Sequence, residues 1–333
     1  MSNSNDTQNK LPVRAAFVVL VQEADIYKLR NTMLSIERRF NEKQGRGYPW
    51  IIIGDKIFSR KFREWTVSSS KFPVFFGHAP EFEWQEPSWI DIKKAERNMK
   101  KMVKEHNIDN GESMSWRRMT RYSAGFIFNH PLLNDLEYYW KVQAGSVYDC
   151  DIPYDPFQKM KAQKKKLSFA LSLTENQQNL EEFQETVHKF IVEHKNIIQP
   201  VNRTIYKALL NSETRFKQIE DGNDLLGEYS GHFSNCMFYN NYMIFSLDFL
   251  RSKEYTLFFE ELDKTGGFLY HKWGDSFPQT VAAALFLKRE EISFGDIEGY
   301  SYKMGAVCPT NLNRYTELKC TCTQSDYRGI HNR

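Results

Sequence analysis

The chain's most constraining feature is its opening run of elements. Ala15 to Val21, AAFVVLV, is a continuous apolar run. It falls well short of the roughly 20 residues a membrane span needs, and it suits a strand buried on both faces. A polar loop follows, then DIYKLRNTMLSIERRFN, in which Ile26, Leu29, Met33, Ile36 and Phe40 recur at helical spacing. YPWIIIGDKIF supplies a second apolar run. Strand, helix and strand predict a βαβ unit, and the two-faced apolar strands predict a mostly parallel sheet with helices on both sides.

The alternation continues. Pro80 to Asp91, PEFEWQEPSWID, reads as an aromatic loop, followed by a helix to about His106. From Ser113, MSWRRMTRYSAGFIFNHPLL alternates Arg with apolar and aromatic residues as a second helix, and EYYWKVQAG gives a short strand. KLSFALSLTE reads as one strand, and EEFQETVHKFIVEHK as a helix with Phe183, Val187, Phe190 and Ile191 facing in. A strand through Met243 and Ile244, a helix around Tyr255 to Leu262, a Gly-Gly turn and a helix from Phe277 to Leu287 complete the pattern. With no repeat and no low-complexity linker, we expect a polar tail over 1–12, one α/β domain over 13–325 and a C-terminal tail over 326–333.

Lys and Arg number 45 against 42 Asp and Glu, so no strong field favours nucleic acid, and nucleic acid is not an expected partner. The basic run KMKAQKKKL, Lys159 to Leu167, reads as a solvated face. Five cysteines are too few for a disulfide scaffold, and Cys320-Thr-Cys322 is not a zinc spacing; which of them pair stays open. Asn5-Asp-Thr7 and Asn202-Arg-Thr204 would be glycosylation acceptors in a secretory lumen. Met1 to Lys10 does not read as a signal peptide, which leaves open a cytosolic chain or a lumenal domain without its anchor.

Phosphate-binding glycine loops, zinc-protease and serine-hydrolase motifs are all missing. What remains is a carboxylate group after a strand, Asp149, Asp151 and Asp155, within YYWKVQAGSVYDCDIPYD. Carboxylates at a strand end can hold a hard divalent ion against a diphosphate. Three acids in a loop are more often caps, turn residues or solvated surface.

Longer blocks say more. RMTRYSAGFIFNHPLL, EYYWKV, YPWIII, PSWID, DFLRSKEY, TGGFLYHKWGD and Cys308-Pro309 resemble blocks of the fungal α-1,2-mannosyltransferases of glycosyltransferase family 15, from about Arg14 to Cys322. The resemblance implies a GT-A-like fold: an α/β nucleotide-diphospho-sugar transferase with a mixed, mostly parallel sheet. It also implies GDP-mannose as donor with Mn²⁺, retaining transfer to a mannose-containing N- or O-linked glycan, and a place in the Golgi lumen as the soluble part of a type II membrane protein. Arg118, Arg121, Tyr122, Asp149 and Asp151 are the donor-binding candidates.

Against that family the departures concentrate where charge belongs. Gln143 stands where the family has a metal-ligating Glu, and Tyr302 where it has a metal-ligating His. Met243 takes the place of a Glu next to the reacting sugar carbon, Gln279 that of a His, and Trp116 that of a Tyr. An amide lacks the charge that draws Mn²⁺, and a thioether cannot act as a carboxylate nucleophile. Glu228, His232, His271 and Asp275, with the Asp149 and Asp151 pair, are the remaining groups around which a site could be rebuilt, with His271 read as an exposed strand end and Asp275 favoured by its place in Trp273-Gly274-Asp275. Three functions follow: a transferase with altered donor, acceptor or metal use; an inactive member that binds glycan or an active family paralogue; and, less favoured, transfer of mannosyl phosphate. Donor binding is expected to outlast turnover, since base and ribose contacts do not need the ion.

Overall fold

The computed structural model describes residues 11–108, 110–211, 227–295 and 297–329. Asn5 of the first sequon and most of the expected N-terminal tail lie outside the described residues. Seven strands form the main sheet in the order β10-β6-β9-β4-β1-β2-β3. Their ranges are β1 (Ala15–Leu20), β2 (Trp50–Gly54), β3 (Val74–His78), β4 (Tyr138–Val142), β6 (Leu167–Phe169), β9 (Tyr242–Ser246) and β10 (Ile292–Phe294). A second sheet runs β13-β12-β11-β5, from β5 (Val147–Tyr148), β11 (Tyr300–Tyr302), β12 (Gly305–Val307) and β13 (Tyr327–Arg328), and β7 (Ser172–Thr174) pairs with β8 (Cys236–Phe238).

Strand alternation sorts the core into two layers. Ala16 and Val18 of β1 face one side with Ile51, Ile53, Tyr139, Met243 and Phe245. Ala15, Phe17 and Val19 face the other with Trp50, Ile52, Trp140, Tyr242 and Ile244. Period-two geometry requires this when both faces are covered. The helix Ile26–Ile36 seals the second layer with Leu29, Met33 and Ile36, followed by Phe40 on the next turn. Helices Met114–Gly125, Phe183–Glu193, Lys253–Thr265 and Ser276–Phe286 cover the first, and the inward Phe183, Val187, Phe190 and Ile191 are all buried there. β1, β2, β3 and β4 run parallel, whereas β9 is antiparallel to both β4 and β6.

Two expectations change. KLSFALSLTE is not one strand: β6 stays in the main sheet beside β9, while β7 leaves to pair with β8. The turn at Tyr239–Asn241 separates β8 from β9, so the partner of this segment breaks at the matching place. Nor is 326–333 wholly a tail, because Tyr327 and Arg328 pair with Val307 and Ala306. That strand is held by the Cys308–Cys322 disulfide and by the Cys308 amide, which donates to the Asp326 carbonyl at 2.8 Å. A second disulfide joins Cys150 to Cys320, and Cys236 lies outside both.

Candidate functional site

A cavity of about 310 Å³ opens at the carboxyl ends of β1 and β4, lined there by Leu20, Lys141 and Gln143. The chain leaves these neighbouring strands toward different sides of the sheet, β1 to β2 on one side and β4, by way of β5, to β6 on the other, and such switch points are where open α/β sheets bind ligands. Trp116 and Thr120 on the Met114–Gly125 helix form one wall, Lys272 and Gly274 to Ser276 another, and Tyr302 to Met304 the rim.

Lys141 and Asp275 pair at the centre, with side chains 15% and 10% exposed. Burial alone would raise the Asp275 carboxyl, but the Lys141 ammonium and hydrogen bonds from Lys141, Ser123 and Asn240 outweigh it and hold the group below its ordinary value of 3.8. A depressed carboxyl contributes stability above the unfolded value and loses it as pH falls through the folded one. The natural chain and an Asp275→Asn variant should therefore differ in urea midpoint at neutral pH and converge below pH 3.8. A constant difference across that range would show that the carboxylate charge is not what the pair contributes.

Gly274 has φ 67° and sits so close to Trp116 that a Cβ would lie 3.2 Å from the indole, which makes glycine the fitting residue between Trp273 and Asp275. Lys272 is 8% exposed, with its ammonium 4.0 Å from the centroid of the Trp116 ring. Trp273 is fully buried and donates Nε1–H to the Glu181 carbonyl at 2.9 Å.

Of the residues singled out from sequence, Trp116, Gln143, Asp275 and Tyr302 line this cavity. Met243 lies on β9 opposite Lys141 of β4, fully buried in the core. Gln279 is also buried, accepting from Asn240 at 3.2 Å and donating to the Ser123 carbonyl at 3.4 Å. The donor-binding candidates do not meet there. Arg118 donates to Glu86 at 2.8 Å, Arg121 grips both oxygens of Asp263 at 2.6 and 2.7 Å, and Tyr122 packs in the core against Trp84. The three acids after β4 diverge: Asp149 accepts from Thr321 at 2.9 Å, Asp151 takes Arg39 and Lys43, and Asp155 caps the Pro156–Ala162 helix and accepts from Tyr48 at 2.8 Å. Pleating and local caps direct these side chains away from the cavity.

Glu228 and His232 are exposed, His232 bonded to Gln184 at 2.7 Å. His271 is not an exposed strand end. It is 6% exposed, stacked on Trp273, with ring nitrogens 3.5 and 3.6 Å from Glu181 and Glu182, because the chain turns inward after the short Gly267–Tyr270 helix. Sequence reasoning missed Lys141. The signal was there: a cation between Trp140 and Val142 on a buried strand demands a carboxylate partner.

The donor set does not suit a divalent ion. Gln143 offers a neutral amide, and burial raises the Tyr302 phenol above its ordinary value, so it offers no phenolate. Lys28 reaches the same place: a Cβ on Gly145 would lie 3.5 Å from the Tyr302 ring and 3.7 Å from Lys28 Cδ. Among the described residues, the one gathering of three metal-capable side chains is Cys150, Cys320 and Cys322, whose sulfurs are in disulfides.

A family profile described as glycolipid 2-alpha-mannosyltransferase matches residues 1–332. Alpha-1,2 mannosyltransferase KTR1 of Saccharomyces cerevisiae is 36% identical over 313 residues, 94% of this chain and 74% of that protein. Glycolipid 2-alpha-mannosyltransferase 2 of Candida albicans is 33% identical over 330 residues, 98% and 67% of the two. Core-mannan synthase A from Aspergillus fumigatus, solved in a Mn/GDP form, superposes with a TM-score of 0.83 at 25% identity, covering 100% of this chain and 83% of that one. The mannosyltransferase Ktr4p from Saccharomyces cerevisiae, solved in complex with GDP, gives 0.82 at 27% identity, covering 95% and 78%. The fold is thus GT-A-like, as the resemblance implied. With its βαβ opening, its switch-point cavity and these likenesses along the whole chain, the protein is α-1,2-mannosyltransferase-like and belongs to the glycolipid 2-alpha-mannosyltransferase family.

Proposed function

We propose that this family member binds GDP-mannose and a mannose-ended N- or O-linked glycan in the switch-point cavity, and that it is built for binding rather than turnover. One observation carries the reading: positions 143, 243 and 302, where the resemblance implies the family's reaction charge, hold an amide, a buried thioether and a phenol. Of the two carboxylates that line the cavity, Glu175 accepts from Asn179 and the Asn176 amide, and Asp275 is held by Lys141, Ser123 and Asn240, so neither is a nucleophile waiting for a sugar. Trp116, with Gly274 and Lys272 against it, offers a ring face of the kind sugars and bases stack on. Mn²⁺, which the resemblance implies, does not fit the groups present.

Two disulfides support a lumenal, oxidising compartment, in keeping with the Golgi placement the resemblance implies. Asn202 of the second sequon is exposed, as an acceptor must be. No helix among the described residues is long and apolar enough to cross a membrane.

The test pairs binding with turnover. Calorimetric titration with GDP-mannose should give a saturable isotherm, while incubation with GDP-mannose and a mannose-terminated acceptor should give no mannose-extended acceptor and no GDP above the buffer control. Transfer at about 1 s⁻¹ or faster, an ordinary enzymatic rate, would sink the binding reading.

A further inference from the structure

The misfit between this cavity and a divalent ion has a counterpart in charge. Tyr302 ends β11, and Lys303 and Met304 make the two-residue turn into β12, with Tyr302 paired to Gly305. Lys303 has φ 46°, a left-handed conformation uncommon for a residue other than glycine. The turn is held from behind: Tyr239 donates its hydroxyl to the Tyr302 carbonyl at 3.0 Å, and Arg328 donates to the Lys303 carbonyl at 2.8 Å. This fixed tip puts the Lys303 ammonium 5.6 Å from the Tyr302 ring centroid. Lys28 comes near the same ring beside the cavity: a Cβ on Gly145 would touch both the Tyr302 ring, at 3.5 Å, and Lys28 Cδ, at 3.7 Å. Lys28 also pairs with Asp25 at 2.8 Å, but that contact is solvent-exposed, with side chains 67% and 38% accessible, and such a pair is weak enough to be exchanged for a stronger anion.

We propose that Lys28 and Lys303 form a fixed-charge subsite for the diphosphate of a nucleotide sugar, replacing a divalent ion with two ammonium groups. This rests on the reading that the cavity takes such a donor. The charge balances, since a sugar diphosphate diester carries two negative charges and the lysines supply two positive ones. A lysine ammonium is a point charge with three donors, a recurrent phosphate ligand that needs no further ion. Each lysine also disfavours Mn²⁺, so the subsite excludes the ion that it replaces. Donor binding is therefore independent of metal and sensitive to salt.

The experiment is calorimetric titration of the full chain with GDP-mannose, in EDTA and then in Mn²⁺, repeated on a Lys28→Ala, Lys303→Ala double variant with guanosine as a ligand lacking the diphosphate. The dissociation constant should agree within about twofold between the two conditions, and should rise roughly tenfold or more in the double variant, as expected for lost charge-assisted hydrogen bonds. Guanosine binding should be unchanged, which separates loss of the subsite from loss of the fold. Donor binding that needs Mn²⁺, or that ignores both lysines, overturns the subsite and leaves the donor-binding reading standing. Failure of GDP-mannose to bind in either condition overturns both.

Discussion

A chain carrying Gln143→Glu and Tyr302→His is expected to bind Mn²⁺ at least roughly 100-fold more tightly than the natural chain, since the charge count of a site sets its affinity for a hard ion. Both positions line the same cavity, so the new carboxylate and imidazole would share one space. Lys28 and Lys303 would oppose the ion, and adding Lys303→Ala should strengthen it further. Titration with Mn²⁺ alone measures the gain without reference to turnover. Mannosyl transfer should appear only when Met243→Glu is added, if position 243 has the role that the resemblance implies, a carboxylate beside the reacting carbon. That side chain would enter a fully buried site opposite Lys141, where the new Glu and Asp275 would share one ammonium. If the natural chain transfers mannose as fast as the triple variant, it is an active transferase and the substituted positions do not silence it.

Replacing Asp263 with alanine should lower stability by about 3–5 kcal/mol, the cost of leaving a buried ion without its partner. Arg121 is 3% exposed and bonds both Asp263 oxygens, so its guanidinium would keep only carbonyl acceptors, nearest that of Glu83 at 2.8 Å. Urea unfolding measures the loss. A change below about 1 kcal/mol would mean that water replaces the carboxylate, as at exposed pairs. The result would also separate Arg121 from the donor site: it ties the Met114–Gly125 helix to the Lys253–Thr265 helix and so acts on the cavity wall only through packing.

The layers of the fold were legible because buried strands and amphipathic helices write their periods into the sequence. Phe17, Trp50, Leu29, Met33, Val187 and Phe190 are where those periods put them. The break between β6 and β7 was not legible, since it depends on where the partner strand turns, some 70 residues later. Arg118, Arg121 and Tyr122 sit on one helical turn whose word is specific to the family, but specificity of a word does not reveal which side faces the ligand. Their partners Glu86, Asp263 and Trp84 come from distant segments, and only the tertiary contacts distinguish them from Trp116 on the same helix. The substitutions at 143, 243 and 302 were visible as letters; the two lysines near Tyr302 were not, because Lys28 and Lys303 lie far apart in the chain and only the fold brings each of them close to that ring.

The bridge between Cys150 and Cys320, with a sequence separation of 170, also fixes how the protein bears load. Tension between the two ends of the chain passes from Cys150 through sulfur to Cys320 and bypasses the stretch between them. Trp116, Lys141 and Gln143 lie on the strained path, while Lys272, Asp275, Tyr302 and Lys303 lie inside the shielded ring. Force can thus extend the chain on one side of the cavity but not the chain on the other, and the Lys141–Asp275 pair joins the two.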